Sequence, residues 1–170
     1  MTERGDHPLG AIGLRRLIVE PEVASDTTHD NFAFQNLWLA FNFDLREGLD
    51  LAQRVLHNEP VPAEVAPFAM LVVARFGTRD QMPLIEPLLK DSTPIVSEEN
   101  EGERMSTQLR DVALAALIHL SGQDTKVYGF DESLPSQQIV FQPGKYGFAN
   151  SAKRNLAHKK WSDWTATQQR

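Results

Sequence analysis

Apolar residues recur at three- and four-residue spacing along much of the chain, which is the period of an α-helix with one buried face. The first such stripe lies within residues 31–43 and contains Phe34, Leu37, Trp38 and Phe41. The second lies within residues 44–58 and contains Leu45, Leu49, Ala52, Val55 and Leu56. We therefore expect two consecutive helices whose stripes face a shared core.

Residues that favour helix ends mark several element boundaries. Asp44 with Glu47, and Thr78 with Gln81, resemble capping boxes at the starts of helices over 44–58 and 78–91. Pro87 lies inside the second of these helices and should distort it, because proline lacks the amide that an interior position needs. These patterns predict an interrupted helix over 78–91.

Three more helices are expected, over residues 62–77, 107–122 and 151–166. Gly77 and Gly122 end the first two, and Leu156, Trp161 and Trp164 are the apolar anchors of the last. Residues 92–106 are polar and acidic and are interpreted as a loop. Residues 123–150 have no helical period and are interpreted as irregular, with a short strand possible only at 137–142. The predicted class is therefore all-α.

Two passages of the chain repeat. Residues 49–58 align with 82–91 at an offset of 33, and the stretch from Ala69 to Gly77 aligns with the one that begins at Ala113 at an offset of 44. Each unit is then a helix pair, and the charged loop accounts for the difference in offset. Arg75 aligns with His119 and Val73 with Leu117, so we expect His119 at the periphery and Leu117 in the core. A ligand or catalytic role for His119 is the less favoured alternative.

The repeat resembles the HEAT-type, armadillo-like class of bacterial helical repeats. "LLKD", from Leu88 to Asp91, is similar to the end of that family's first helix, and "LRDVA", from Leu109 to Ala113, is similar to the start of its second. The resemblance implies a short α-solenoid of stacked antiparallel helix pairs, with Asp91 and Arg110 paired. The expected organisation is an extended N-terminal arm (1–30), helical repeats (31–122), an irregular segment (123–150) and a C-terminal capping helix with its tail (151–170).

Charge is unevenly distributed along the 170 residues. The net charge is −6, yet residues 142–170 contain six basic residues and one acidic residue, which leaves −11 for residues 1–141. The chain has no cysteine, which excludes disulfides and thiolate sites. No apolar run has the length of a signal peptide or a membrane span. We expect a soluble, cytoplasmic chain, unless it is a domain of a longer, targeted protein.

The sequence offers little catalytic chemistry. Its five histidines are scattered, and no pair has the spacing that places two metal ligands on one helix face. It has neither a Gly-x-Ser-x-Gly elbow nor a phosphate-binding glycine loop. We therefore expect no catalytic, cofactor-binding or metal-binding residues. An enzyme similar to the HEAT-like bilin lyases would rest on analogy of fold alone, with no residue to nominate.

A protein–protein interaction or scaffolding module is the predicted function, with a protein partner. The candidate contact residues are Arg75, His119 and the acids of the charged loop, namely Glu98, Glu99, Glu101 and Glu103. The alternative is nucleic-acid binding, which HEAT-like DNA glycosylases achieve with the concave face of a related fold. Its candidate contacts are Lys153, Arg154, Lys159, Lys160 and Trp161, although the acidic body should repel phosphate.

Overall fold

A computed structural model describes residues 26–58, 61–100, 103–130 and 139–168, with side chains from residue 31 onward except at 98–100 and 103–104. Six α-helices lie in these ranges: α1 (Asp26–Asn42), α2 (Gly48–His57), α3 (Ala66–Phe76), α4 (Met82–Ile85), α5 (Leu109–Leu120) and α6 (Ser151–Gln168). Two strands, β1 (Pro94–Asn100) and β2 (Glu103–Gln108), precede α5. Short 3-10 turns cover Arg79–Gln81, Glu86–Lys90, Thr125–Tyr128 and Pro143–Tyr146. The chain is thus mostly helical.

The core is built around two helices that are buried almost all round. Eight residues of α3 and ten of α5 are buried, and the two helices pack against each other. A helix that is apolar on every side must lie inside the fold, because no face of it suits water. On the other sides of this central pair, α2 packs on α3 and the 3-10 turn Glu86–Lys90 packs on α5. Leu117 and Val73 are both fully buried, as their alignment predicts.

The acidic segment is a β-hairpin, so the prediction of a loop there is wrong. Strands β1 and β2 pair antiparallel, with Glu99 opposite Arg104 and Ser97 opposite Ser106. Beyond the hairpin, Ser106 also exchanges both backbone hydrogen bonds with Phe148, at 3.1 and 3.0 Å. The hairpin is therefore tied to the chain that leads into α6, and the fold is not purely α.

Residues 147 and 106–107 approach so closely that only glycine fits at 147. A Cβ atom there would lie 2.5 Å from the Thr107 hydroxyl oxygen and 2.8 Å from the Ser106 carbonyl oxygen. Both distances are well inside van der Waals contact. The bridge between Ser106 and Phe148 depends on this close approach.

Several predicted boundaries shift. Helix α1 begins at Asp26, so the predicted extended arm over 1–30 is wrong for residues 26–30, while residues 1–25 lie outside the described part. Helix α2 begins at Gly48 with Glu47 as its N-cap residue, so the predicted start of this helix at Asp44 is wrong. Asp44 instead has a left-handed backbone, with φ of 56°. Residues 139–142 form no strand.

Other local predictions are confirmed. The Thr78 hydroxyl accepts a hydrogen bond from the backbone, and the Gln81 side chain accepts one from the Thr78 amide at 2.6 Å, which completes a capping box. The helix predicted over 78–91 is interrupted: α4 ends at Ile85, and a 3-10 turn that contains Pro87 begins at Glu86. A proline within the first turn of that 3-10 segment explains why the α-helix stops after only four residues.

The polar pair that the family resemblance implies is not formed. The Arg110 amide donates to the Asp91 carbonyl at 2.9 Å, so the two residues meet only through the backbone. The Asp91 carboxylate accepts from the Thr93 amide, and the Arg110 guanidinium donates to Gln108. This polar ladder of the resembled repeats is therefore missing at the one place where the sequence predicts it.

Candidate functional site

Arg75 is positioned at the end of α3, where that buried helix reaches the surface. Its guanidinium lies over the Phe41 ring, 4.5 Å from the centroid, and over the Phe76 ring at 5.6 Å. It also donates to the Asp44 carboxylate at 3.2 Å. The two side chains are 37% and 76% exposed, respectively. Arg75 thus combines cation–π packing with an ion pair that faces water.

The surface beside this pair is aromatic and uncharged. Trp38 and Phe43 are 45% and 63% exposed, and their rings meet edge to face with centroids 6.4 Å apart. Phe32, which is 40% exposed, lies further towards the start of α1. Trp38 and Phe43 therefore form one aromatic contact at the end of α1, and the next residue along the chain, Asp44, pairs with Arg75.

From Asn31 onward, the outer face of α1 shares this character. Its exposed positions repeat at three- and four-residue spacing and are occupied by Asn31, Phe32, Gln35, Trp38 and Asn42. We call these residues, with Phe43, the α1 aromatic face. No charged residue occurs anywhere from Asn31 to Phe43. A water-facing helix surface ordinarily carries charges, so their absence beside three exposed aromatic rings is typical of the centre of a protein interface.

Sequence reasoning misplaced Trp38. Its spacing from Phe34 and Phe41 put it in the predicted apolar stripe, but the buried side of α1 consists of Asn36, Leu37, Ala40 and Phe41. Trp38 is the next residue after Leu37, turned about 100° around the helix axis by the 3.6-residue period, and it lies outside that stripe. The run without charges was the feature that could have drawn attention to this face.

His119 lies in the last turn of α5 and is half-buried. Burial lowers the pKa of its imidazole below the ordinary value. It is neither a core residue nor part of the surface around Arg75, whose contacts are with Asp44, Phe41 and Phe76. The structure therefore does not bring the two aligned candidates together.

The candidate acids lie on and between the hairpin strands. Glu98 and Glu99 belong to β1 and Glu103 to β2, while Glu101 falls outside the described residues. The side chains of these four residues also fall outside the described part. Their role in binding stays a prediction.

The five candidate nucleic-acid contacts do not form one surface. Lys153, Lys159 and Lys160 are exposed, whereas Arg154 and Trp161 are each only 4% exposed. The Trp161 ring packs on Trp164, with centroids 4.9 Å apart. Lys159 pairs with Asp163 at 2.5 Å, and Lys160 donates to the Val127 carbonyl at 2.7 Å. Arg154 and Trp161 are therefore buried and cannot belong to the predicted basic, aromatic surface.

Arg154 has a structural partner that the sequence did not reveal. Its Nε donates to both carboxylate oxygens of Asp111, at 2.8 and 3.0 Å, and its Nη2 donates to the carbonyl and hydroxyl of Ser106. The same carboxylate accepts from the Gln108 amide at 2.8 Å, at the start of α5. This cluster joins α6 to β2 and α5. The Gln108–Asp111 capping pattern was the available hint.

His158 lies at the edge of this cluster. Its Nε2 is 3.8 Å from an Asp111 oxygen and has no hydrogen-bond partner among the described residues. Since the Asp111 carboxylate is already occupied by Arg154 and the Gln108 amide, the arrangement supports the packing of α6.

Comparison with protein-family models, with curated proteins and with solved structures finds no match for the chain. Within the described ranges, no helix combines the length and apolar character needed to cross a membrane. In that same part of the chain, no three His, Asp or Glu side chains come together in a way that could hold a metal ion. The α1 aromatic face is accordingly the candidate functional site.

Proposed function

We propose that the chain is a non-catalytic protein-interaction module that binds through the α1 aromatic face. The observation that carries the proposal is the set of exposed rings, Phe32 and Trp38 on α1 and Phe43 directly after it, in a run from Asn31 to Phe43 that contains no charged residue. Tryptophan and arginine dominate the binding energy of protein interfaces, and charged side chains are depleted at interface centres. Trp38 and Arg75 are then the anchors, and Arg75 retains the contact role expected from the sequence.

Nucleic-acid binding is the weaker candidate. Burial of Arg154 and Trp161 leaves three exposed lysines, of which Lys159 already pairs with Asp163. A phosphate ligand would also meet a chain whose net charge is −6. We therefore keep it as an outcome of the test rather than as a second proposal.

The test is an affinity capture with the tagged full-length chain, from lysate of its own cells with and without nuclease. Trp38→Gln and Phe43→Gln should lose a protein that the wild type retains after nuclease treatment. Leu156→Gln is the matched control, because Leu156 is 55% exposed but lies on α6. Equal capture by all four proteins would contradict the proposal. Nucleic acid recovered only without nuclease would favour the alternative.

Salt separates the α1 aromatic face from the hairpin acids. Raising the salt from about 0.1 M to about 1 M shortens the screening length from ~10 to ~3 Å and weakens contacts between exposed charges. Capture through an uncharged aromatic face should persist across this range. Loss of capture at high salt, unchanged by Trp38→Gln, would point to Glu98, Glu99, Glu101 and Glu103 instead.

A further inference from the structure

We infer that a second copy of this chain occupies the α1 aromatic face, so that two α1 helices pack across a twofold axis. The inference rests on the proposed function and names its partner. A twofold interface places the same surface patch on both sides, so the patch must be complementary to itself. The α1 aromatic face meets this requirement in its apolar centre and in its charged edge.

The centre is self-complementary because it is uncharged. Each chain carries a net charge of −6, so two copies repel each other wherever their acidic surfaces meet. The exposed positions from Asn31 to Asn42 hold only amide and aromatic side chains, with Phe43 beside them. Trp38 and Phe43 can pack on the same residues of a second copy and bury no charge.

The edge is self-complementary because it holds one acid and one base. Asp44 directly follows Phe43 and is joined to Arg75 by a contact of 3.2 Å. With the twofold axis beside Phe43, each Asp44 faces Arg75 of the other copy. Exchange of the contact within a chain for the contact between chains costs little, since an exposed ion pair contributes only ~0–1 kcal/mol. A partner of uniform charge would satisfy only one of the two residues.

The first measurement is the molar mass of the full-length chain by light scattering and sedimentation equilibrium, from about 1 µM to about 1 mM. We expect twice the monomer mass for the wild type and for Leu156→Gln. Trp38→Gln should weaken self-association at least ~10-fold, as loss of an interface anchor does. Far-UV circular dichroism checks that the variants stay folded, which the exposure of Trp38 leads us to expect.

A charge swap identifies the second copy and the twofold axis. In a dimer of Asp44→Arg, the new arginine of each copy would face Arg75 of the other. In a dimer of Arg75→Asp, the new aspartate of each copy would face Asp44 of the other. Like charges repel in both cases, so each variant alone should be monomeric. A mixture of the two variants restores both contacts between acid and base and should form a heterodimer. A monomeric mixture beside a dimeric wild type would overturn the assigned geometry.

The two proposals fail separately. A wild type that is monomeric up to about 1 mM overturns the second copy as the occupant. If Trp38→Gln nevertheless loses a captured protein, the proposed interaction function stands with a different partner. If the chain dimerises and Trp38→Gln dimerises equally well, the α1 aromatic face is not the dimer interface, and the inference is wrong.

Discussion

Within the described residues, two Asp–Arg pairs have similar contact distances and opposite surroundings. Asp111 and Arg154 meet at 2.8 Å with side chains 0% and 5% exposed, while Asp44 and Arg75 meet at 3.2 Å in water. The buried arginine makes four hydrogen bonds, to Asp111 and Ser106, and fixes α6 on β2 and α5. The exposed arginine makes one to Asp44 and stays available to a partner. Burial, rather than residue type, separates the structural pair from the candidate binding pair.

The largest effect should come from breaking the buried pair. We expect Arg154→Met to lower the free energy of unfolding by ~3–5 kcal/mol, because it leaves the Asp111 carboxylate buried without its cation. Urea unfolding followed by circular dichroism measures this loss. Lys153→Met, at an exposed neighbouring position, is the control and should change stability little. An equal effect of the two variants would show that Arg154 is not the buried partner of Asp111.

The buried apolar residue Leu117 provides a comparison for the stability loss expected from Arg154→Met. Leu117→Ala should cost ~2–5 kcal/mol, since Leu117 is fully buried in α5 and its removal leaves a cavity. His119→Ala, on the same helix but half-buried, should cost much less. Thermal and urea unfolding of both variants test the difference. Similar losses would contradict the alignment of His119 with Arg75.

Removal of the buried Tyr146 hydroxyl should have an intermediate effect on the free energy of unfolding. Tyr146 accepts from the Val140 amide at 2.8 Å and donates to the Val140 carbonyl at 3.1 Å, which holds Phe141 near Phe34, Phe41 and Phe68. Tyr146→Phe should cost ~1–3 kcal/mol, because it leaves the Val140 groups without these bonds. Urea unfolding at neutral pH measures the cost, and a loss below the error of the method would contradict it.

The same hydroxyl should make the wild type sensitive to alkali. Burial raises the pKa of Tyr146 from 10 to about 12. Its contribution to stability is therefore complete below pH 10 and decreases as the pH rises towards 12, because the unfolded chain releases the proton first. Tyr146→Phe should show a shallower decrease over this range. Phenolate absorbance checks the assignment, since the chain has only two tyrosines.

The smallest effect on stability should come from the exposed pair. Arg75→Gln should lower the free energy of unfolding by only ~1–2 kcal/mol, because an exposed ion pair contributes ~0–1 kcal/mol and an exposed cation–π contact ~0.5–1 kcal/mol. The same substitution should weaken the association tested above. A stability loss as large as that of Arg154→Met would remove the contrast between the two pairs.

Local signals in the sequence predicted local structure well. The Thr78–Gln81 capping box and the interruption at Pro87 each depend on neighbouring residues, and both are confirmed. The burial of Arg154 depends on Asp111, 43 positions away, and a charge count cannot show which of several basic residues has such a partner. Trp38 was misplaced because apolar spacing does not tell the edge of a stripe from its centre. The hairpin was missed because charged residues outnumber Ile95 and Val96 in its first strand and the two residues that follow it in sequence.

The close approach of the backbone at Gly147 has a consequence for which residues related proteins should preserve. Any side chain there would separate the hairpin from the segment that leads into Arg154, and Arg154 reaches Asp111 only when that segment is in place. Glycine at 147, aspartate at 111 and arginine at 154 should therefore be inherited together. We expect a diverged relative that keeps this architecture to preserve these three positions, even where the rest of its surface, including the residues at 32, 38 and 43, has changed.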